Sequence, residues 1–307
     1  MTDPFFSVAI PLYNRAKTIG KTIESVLAQS FSDFEIVVVD DGSVDQPEKA
    51  IAAIGDPRIR LIRQPNGGAA VARNRAVSEG RGRYIAFLDS DDFFLPHHLE
   101  SAAAILKDNP DAVVYSQVLA DRGNGRVTVK PPRSIRPGEN MASYLVTGAG
   151  FVQTSTLVLP RALALAVRYR PDVSFGDDTD YAIRLSLAGT PFVMTEKPGV
   201  IWRDEADPDR LSSNNRSIRN PVWLEDLKEK IPASAYEGYR GWHVAKSFMP
   251  EHPLKAFKLY VNALRHGAYG PRLAVVVFIQ LVLSGTNYRK LADFYIGHVR
   301  SRGRHEA

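Results

Sequence analysis

Apolar runs that stop abruptly on carboxylates constrain this chain most. Tyr84-Ile85-Ala86-Phe87-Leu88 ends at Asp89-Ser90-Asp91-Asp92, and Phe34 to Val39 ends at Asp40-Asp41-Gly42-Ser43. Runs this short and apolar read as strands buried in a sheet. Their acids cannot stay in an apolar core, so they must emerge at the strands' C-terminal ends. In an open α/β sheet that end is where ligands bind.

Helical spacing alternates with such strands through the first half. Ser7–Pro11 reads as a strand, and Ile19, Ile23, Val26 and Leu27 fall at helical spacing. A helix follows around Gln46–Ile54, then a strand over Arg58–Ile62. Asn66-Gly67-Gly68 turns into a helix over Ala69–Ser78, and the Tyr84 strand comes next. A helix over Leu95–Leu106, opened by Pro96, precedes a strand over Ala112–Leu119. This order predicts an α/β fold with a mostly parallel sheet flanked by helices. Asp121–Pro132 reads as a hairpin or an excursion from the sheet. Residues 133–175 carry little pattern beyond a strand over Thr156–Leu159. Asp177–Leu187 reads as an amphipathic helix, Phe192–Met194 as a strand, and Asp204–Asn220 as a polar loop. Beyond Pro221 the pattern is helical. The expected domains are therefore 1–220, α/β, and 221–307, a helical C-terminal extension.

Composition removes several chemistries. With no cysteine, the chain has no disulfide, thiol nucleophile or cysteine-ligated metal. Phe5–Ile10 reads as a first strand rather than a signal peptide, and no window approaches a membrane span, so a cytoplasmic protein is expected. The net charge of +5 is unevenly spread. Gly241–Ala307 holds ten Lys and Arg against three acids, a surplus larger than that of the whole chain. Leu273–Leu283 is apolar on all sides except Gln280. It reads as a buried helix, or as an interfacial segment whose following Arg289, Lys290, Arg300, Arg302 and Arg304 lie near anionic headgroups at the inner face of the cell membrane; a solvated basic tail fits those residues too. No zinc-finger spacing or helix-turn-helix pattern occurs, so nucleic acid is not an expected partner.

The acids admit specific chemistry. Asp89 and Asp91 can share one divalent cation, and their hard oxygens suit Mg²⁺ or Mn²⁺; an acidic turn before the next helix is the alternative. A second acidic strand end at Asp40-Asp41 favours a ligand site, because crowded carboxylates need a compensating cation or donor. Arg73 and Arg75 lie two apart on a helix, so at most one faces the cleft, and Arg73 is chosen. Asp177-Asp178-Thr179-Asp180 could cap a helix or supply a general base.

Taken in order, five segments resemble family 2 glycosyltransferases of the GT-A fold. They are Pro11-Leu12-Tyr13-Asn14, Val38-Val39-Asp40-Asp41-Gly42-Ser43, Ala72-Arg73-Asn74, Phe87-Leu88-Asp89-Ser90-Asp91-Asp92 and Gly176-Asp177-Asp178-Thr179-Asp180. The resemblance covers about two-thirds of the chain. It implies a Rossmann-like GT-A fold. It also implies a metal-dependent, inverting transfer of one sugar from a nucleotide-sugar, UDP by default, to a glycan or lipid-linked acceptor. Pro11 and Tyr13 would line the nucleotide pocket, Asp41 would accept from the base, and Arg73 would help hold the nucleotide. Asp89-Ser90-Asp91 would be the DxD element: Asp89 near ribose or metal, Ser90 beside the nucleotide, Asp91 a direct ligand of Mn²⁺ or Mg²⁺. Asp178 would be the catalytic base, with Asp180 as fallback, and Trp202-Arg203 and Arg210-Leu211-Ser212 would lie near the diphosphate. The Gln-x-x-Arg-Trp element of processive synthases is absent, which favours adding one sugar per encounter.

Two rival readings come from other classes. A sugar nucleotidyltransferase would want a glycine-rich basic loop after the first strand, where this chain reads Tyr13-Asn14-Arg15-Ala16-Lys17. A non-catalytic nucleotide- or glycan-binding module would have no need to keep all three acidic clusters.

Overall fold

The computed structural model describes residues 3–121, 123, 127–148, 150–173, 175–203 and 218–283. The chain divides into two compact units, Met1–Ser213 and Asn214–Ala307.

The first unit is organised by four parallel strands: β1 (Phe6–Leu12), β2 (Phe34–Asp40), β3 (Ile59–Arg63) and β4 (Tyr84–Phe87). Helices α1 (Ala16–Leu27), α2 (Pro47–Ala52) and α3 (Ala69–Glu79) connect them. Every residue of β1, β2 and β4 is buried, as parallel strands covered on both faces require. β1 lies between β2 and β4, with Leu12 opposite Asp40 and Ala9 opposite Phe87. The chain builds β2 and β3 on one side of β1, then crosses through α3 to build β4 on the other. The strand order therefore reverses at the β1–β4 boundary, the crevice where such sheets hold ligands. The acids after β2 and β4 emerge on the same edge of the sheet, as their shared direction demands.

Further elements complete the unit: β5 (Phe93–Phe94), α4 (His98–Asp108), β6 (Val113–Tyr115), β7 (Val118–Asp121), β8 (Val127–Lys130), α5 (Met141–Val146), β9 (Val158–Pro160), α6 (Arg161–Val167), α7 (Asp177–Leu187), β10 (Phe192–Met194) and β11 (Val200–Arg203). Among the described residues the main sheet runs β10-β6-β9-β4-β1-β2-β3, and only β9 is antiparallel to its neighbours. A smaller sheet runs β5-β11-β7-β8.

Several boundaries differ from the sequence expectation: the strand expected over Thr156–Leu159 is Val158–Pro160, with Thr156 in a preceding 3-10 turn, and two other differences have a visible cause. The strand expected over Ala112–Leu119 is two strands in different sheets: Tyr115 pairs with β10, and Val118 pairs with β11 and β8. The polar pair between them makes the break, with Ser116 buried and the Gln117 amide donating to Pro131 O at 2.8 Å. The helix expected from Leu95 starts at His98, because Leu95 still bonds to Gly199 O beside β11.

The second unit is helical: α8 (Val222–Leu227), α9 (Ala233–Tyr239), a π-turn over Arg240–Val244, α10 (Ala245–Phe248), α11 (Pro253–Arg265) and α12 (Pro271–Val282). Gln280, the polar residue in the apolar α12, accepts from the Trp242 indole at 2.9 Å. The buried reading of this helix is only partly met. Val277 and Leu281 are buried, whereas Val275 is 58% exposed, Phe278 43% and Val282 52%. The expected 204–220 loop up to residue 217, with Arg210-Leu211-Ser212, and the basic residues from Arg289 onward lie outside the described residues.

Candidate active site

The β2 end is built as a tight receptor for one carboxylate. Asp41 N donates to Leu12 O at 2.8 Å, which fixes the residue beside the end of β1. Its Oδ1 accepts from Gln64 Nε2 at 2.7 Å and Gly67 N at 2.9 Å, and its Oδ2 from Gly68 N at 2.7 Å. Gly68 has φ of 91°, a backbone that a side chain would strain, so the Asn66-Gly67-Gly68 turn is what aims these amides. Oδ2 has room for a further donor. Asp40 turns the other way: its Oδ1 accepts from Ser43 N at 2.9 Å, and Arg63 lies 3.6 Å from its Oδ2. Pro11 is buried within β1, and Tyr13, just past its end, is 50% exposed.

The β4 end carries the second group. The Ser90 carbonyl accepts from Thr18 at 3.1 Å and Thr22 at 3.0 Å, both on α1, so the Asp89-Ser90-Asp91 backbone is pinned to that helix. Asp91 is 29% exposed at its side chain, with Arg15 Nε 3.9 Å from its Oδ2. Asp92 points inward. Its Oδ2 accepts from Gln153 Nε2 and Ser155 Oγ, each at 2.7 Å, and its Oδ1 from Arg203 N at 3.3 Å. Burial, with Asp89 and Asp91 repelling it, pushes the Asp92 carboxyl well above the usual range. Asp92 thus supports the turn from beneath, and ties it to Arg203 at the end of β11.

One arginine joins the β4 end to α7. Arg73 Nη2 donates to Asp89 Oδ1 and Nη1 to Asp177 Oδ2, both at 2.8 Å. The Arg73 side chain is 7% exposed, and the planar guanidinium spans the two carboxylates as an ammonium could not. Burial works against its charge, but Asp89 and Asp177 outweigh that and hold it firmly protonated. Arg75, two residues on, is exposed and pairs with Glu79 at 2.7 Å. The structure therefore brings together Arg73, Asp89, Asp177 and Asp178, and leaves Arg75 outside. Each Arg73 Nη gives one of its two N–H groups to a carboxylate.

Asp178 follows Asp177 in the first turn of α7 and accepts from the Thr154 hydroxyl. Its carboxyl is pushed up to about 8, first by burial and then by the neighbouring Asp177 charge, with Arg73 and Thr154 opposing. A carboxyl poised near neutral pH suits a proton acceptor. Asp180 does not join this group. It is 1% exposed and pairs with Arg184, whose guanidinium also holds the Val167 and Arg168 carbonyls. Through Arg184 it fastens the end of α6 to α7, away from the Arg73 bridge.

Gln153, Thr154 and Ser155 escaped the sequence reading. They form a buried turn between α5 and β9 that touches Asp92, Asp178 and the Asp89 amide. Neutral hydroxyls in a stretch without periodicity give no signal in a single sequence.

Comparison with known proteins identifies the family. The sequence model of Glycosyl transferase family 2 matches residues 7–165, more than half of the chain. The amylovoran biosynthesis glycosyltransferase AmsB of Erwinia amylovora is 31% identical over 64% of this chain and 69% of its own length. The UDP-Glc:alpha-D-GlcNAc-diphosphoundecaprenol beta-1,3-glucosyltransferase WfgD of Escherichia coli is 33% identical over 77% of this chain and 91% of its own. Several longer glycosyltransferases match over 36%, 27% and 26% of their length. In architecture, S. aureus TarS 1-349 in complex with UDP-GlcNAc aligns over 95% of this chain and 92% of its own, at a TM-score of 0.64 and 19% identity. That likeness carries the GT-A fold. With acidic strand ends at the sheet's switch point and the family's sequence running through them, the chain belongs to Glycosyl transferase family 2 and is a glycosyltransferase.

Proposed function

We propose that this glycosyltransferase moves one sugar from a UDP-sugar to a hydroxyl of a lipid-linked or glycan acceptor, with inversion at the anomeric carbon and Asp178 as general base. The observation that carries the reading is the Arg73 bridge. It brings the Asp178 carboxyl, pushed up to about 8, alongside the Asp89-Ser90-Asp91 turn, which supports reading them as base and nucleotide site of one reaction.

The residues divide the work by chemistry. Tyr13 offers an exposed ring against which a base can stack, with Pro11 behind it. Asp41 accepts from a base N–H through Oδ2, its other bonds holding it in place. The acids outnumber the guanidiniums, which suits a divalent cation. Asp89 and Asp91 supply hard oxygens on partly exposed side chains, 25% and 29%. Among the described residues no group of three or more His, Asp or Glu could hold an ion alone. Two carboxylates with donor phosphates completing the shell is the usual arrangement for Mg²⁺ or Mn²⁺. When bound, the ion would supply Lewis-acid stabilisation of the departing diphosphate. Arg73 orients Asp89 and Asp177. Asp178 takes the acceptor proton as that oxygen bonds to the anomeric carbon and the bond to the diphosphate oxygen breaks. A single displacement of this kind inverts the centre. The name of WfgD, a UDP-Glc:alpha-D-GlcNAc-diphosphoundecaprenol glucosyltransferase, supports a UDP-sugar donor and a diphosphate-lipid acceptor.

Calorimetric titration of UDP, GDP and dTDP, with Mn²⁺ and with EDTA, tests the reading. The expected result is Mn²⁺-dependent binding of UDP by the wild type that is lost in Asp91→Ala. Failure of every nucleotide to bind under both conditions would overturn it and favour a non-catalytic module.

A further inference from the structure

Behind Asp178 stands a row of uncharged groups whose arrangement has one consistent direction. The Thr154 hydroxyl donates to Asp178 Oδ1, and the Tyr169 hydroxyl lies 3.0 Å from Thr154 Oγ1. Thr154 is fully buried and Tyr169 is 2% exposed. Tyr169 is held on every side. Asn74 on α3 donates to its carbonyl at 2.8 Å and accepts from its amide at 2.9 Å. Its ring stacks on Tyr181 at 3.9 Å, and the Arg73 guanidinium lies 4.9 Å from the ring centre.

Proton counting fixes the order. In the ionised form that would act as the base, Asp178 only accepts, so Thr154 donates to it. A threonine hydroxyl has one proton, so Tyr169 must donate to Thr154. Burial pushes the Tyr169 phenol well above its ordinary range, which keeps that proton in place. Buried chains of this kind gain from mutual polarisation. The charged and titratable groups facing Asp178 are Asp177 on its own helix, Arg73 on α3, Asp89 at the β4 end and Tyr169.

We propose that Thr154, backed by Tyr169, is a positioning residue for the base: it holds Asp178 Oδ1 so that Oδ2 is the atom presented to the acceptor hydroxyl. This rests on the reading of Asp178 as the base. It also gives Asn74 a task, since its clamp on Tyr169 anchors the row at its far end.

The test uses the full chain with ¹³C-labelled aspartate carboxyls, the Asp178 signal being assigned by its loss in Asp178→Asn. In Thr154→Val, Asp178 is expected to titrate about one pH unit or more higher, because a donor to the charged form is gone. Tyr169→Phe, which keeps the stacked ring, should move it the same way by less, and Thr154→Ser should restore it. With UDP-Glc or UDP-GlcNAc as donor and UDP release as the readout, Thr154→Val should lower kcat about 10- to 100-fold with the donor KM nearly unchanged. Asp178 titrating identically in wild type, Thr154→Val and Tyr169→Phe would overturn the proposal. Failure of the base reading shows separately: Asp178→Asn would then keep wild-type turnover.

Discussion

At the scale of the residue, Asp178 carries opposing demands on stability and reactivity. Its folded carboxyl titrates near 8, raised mainly by burial, whereas in the unfolded chain it ionises at about 3.9. Between those values the folded state binds more protons than the unfolded state. Stability therefore falls as pH rises through that window and is least compromised at its acid end. Asp178→Asn removes the ionisation while keeping shape and a partner for Thr154. The variant should be more stable than wild type at pH 8, on the order of 1–3 kcal/mol, with the gain shrinking toward pH 4. Melting temperatures of the two proteins across that range read this directly, and a gap that does not vary with pH would count against a raised carboxyl. The same substitution should lower turnover about 10²- to 10⁴-fold. A gain in stability joined to a loss of activity is the mark of a group placed for chemistry rather than for the fold.

At the scale of the element, α3, the β4 end and the first turn of α7 meet on a single guanidinium. Arg73 is buried between Asp89 and Asp177, so deleting it leaves two acids facing each other with no cation. Arg73→Ala should cost about 3–5 kcal/mol in urea unfolding, and Arg73→Lys somewhat less, because an ammonium keeps the charge but not the fork. Equal unfolding of all three proteins would mean that the bridge holds nothing. Helical spacing lets at most one of Arg73 and Arg75 face the cleft, but it does not say which. The strands and the shared acidic edge were legible because a buried strand must shed its acids at one end. What stayed hidden was what periodicity does not encode. Ala112–Leu119 reads as one strand, yet it changes sheets at Ser116-Gln117, and a polar pair inside a strand does not by itself say that the pairing changes there. Thr154 and Tyr169 lie in the patternless 133–175 stretch, where a hydroxyl and an aromatic ring look like ordinary core. Their role arises only when Asn74, more than 90 residues earlier in the chain, grips Tyr169.

At the scale of the whole molecule, apolar exposure and positive charge concentrate toward the C-terminus. Among the described residues no helix is long and apolar enough to cross a membrane. In the helical unit, Val275, Phe278 and Val282 stand exposed along one side of α12, and Leu254, Val261 and Leu264 are exposed on α11. The sequence after α12 adds Arg289, Lys290, Arg300, Arg302 and Arg304. Exposed apolar helix surface joined to basic sequence is the composition of a segment that lies in a lipid interface, and a lipid-linked acceptor would give such contact a purpose. The full chain should therefore co-sediment with vesicles containing phosphatidylglycerol, and less so with purely phosphatidylcholine vesicles. Raising the salt should weaken the anionic component, because exposed charges are screened beyond about 10 Å at 0.1 M. Val275→Asp with Phe278→Asp should reduce binding about 10-fold or more, since each apolar side chain that enters an interface contributes on the order of 1 kcal/mol and each new acid is repelled by the lipid. UDP affinity should not change, because neither residue belongs to the α/β unit. Equal sedimentation of wild type and the double variant at every lipid composition would show that these residues make no contact with lipid. The acceptor would then have to be sought among water-soluble glycans.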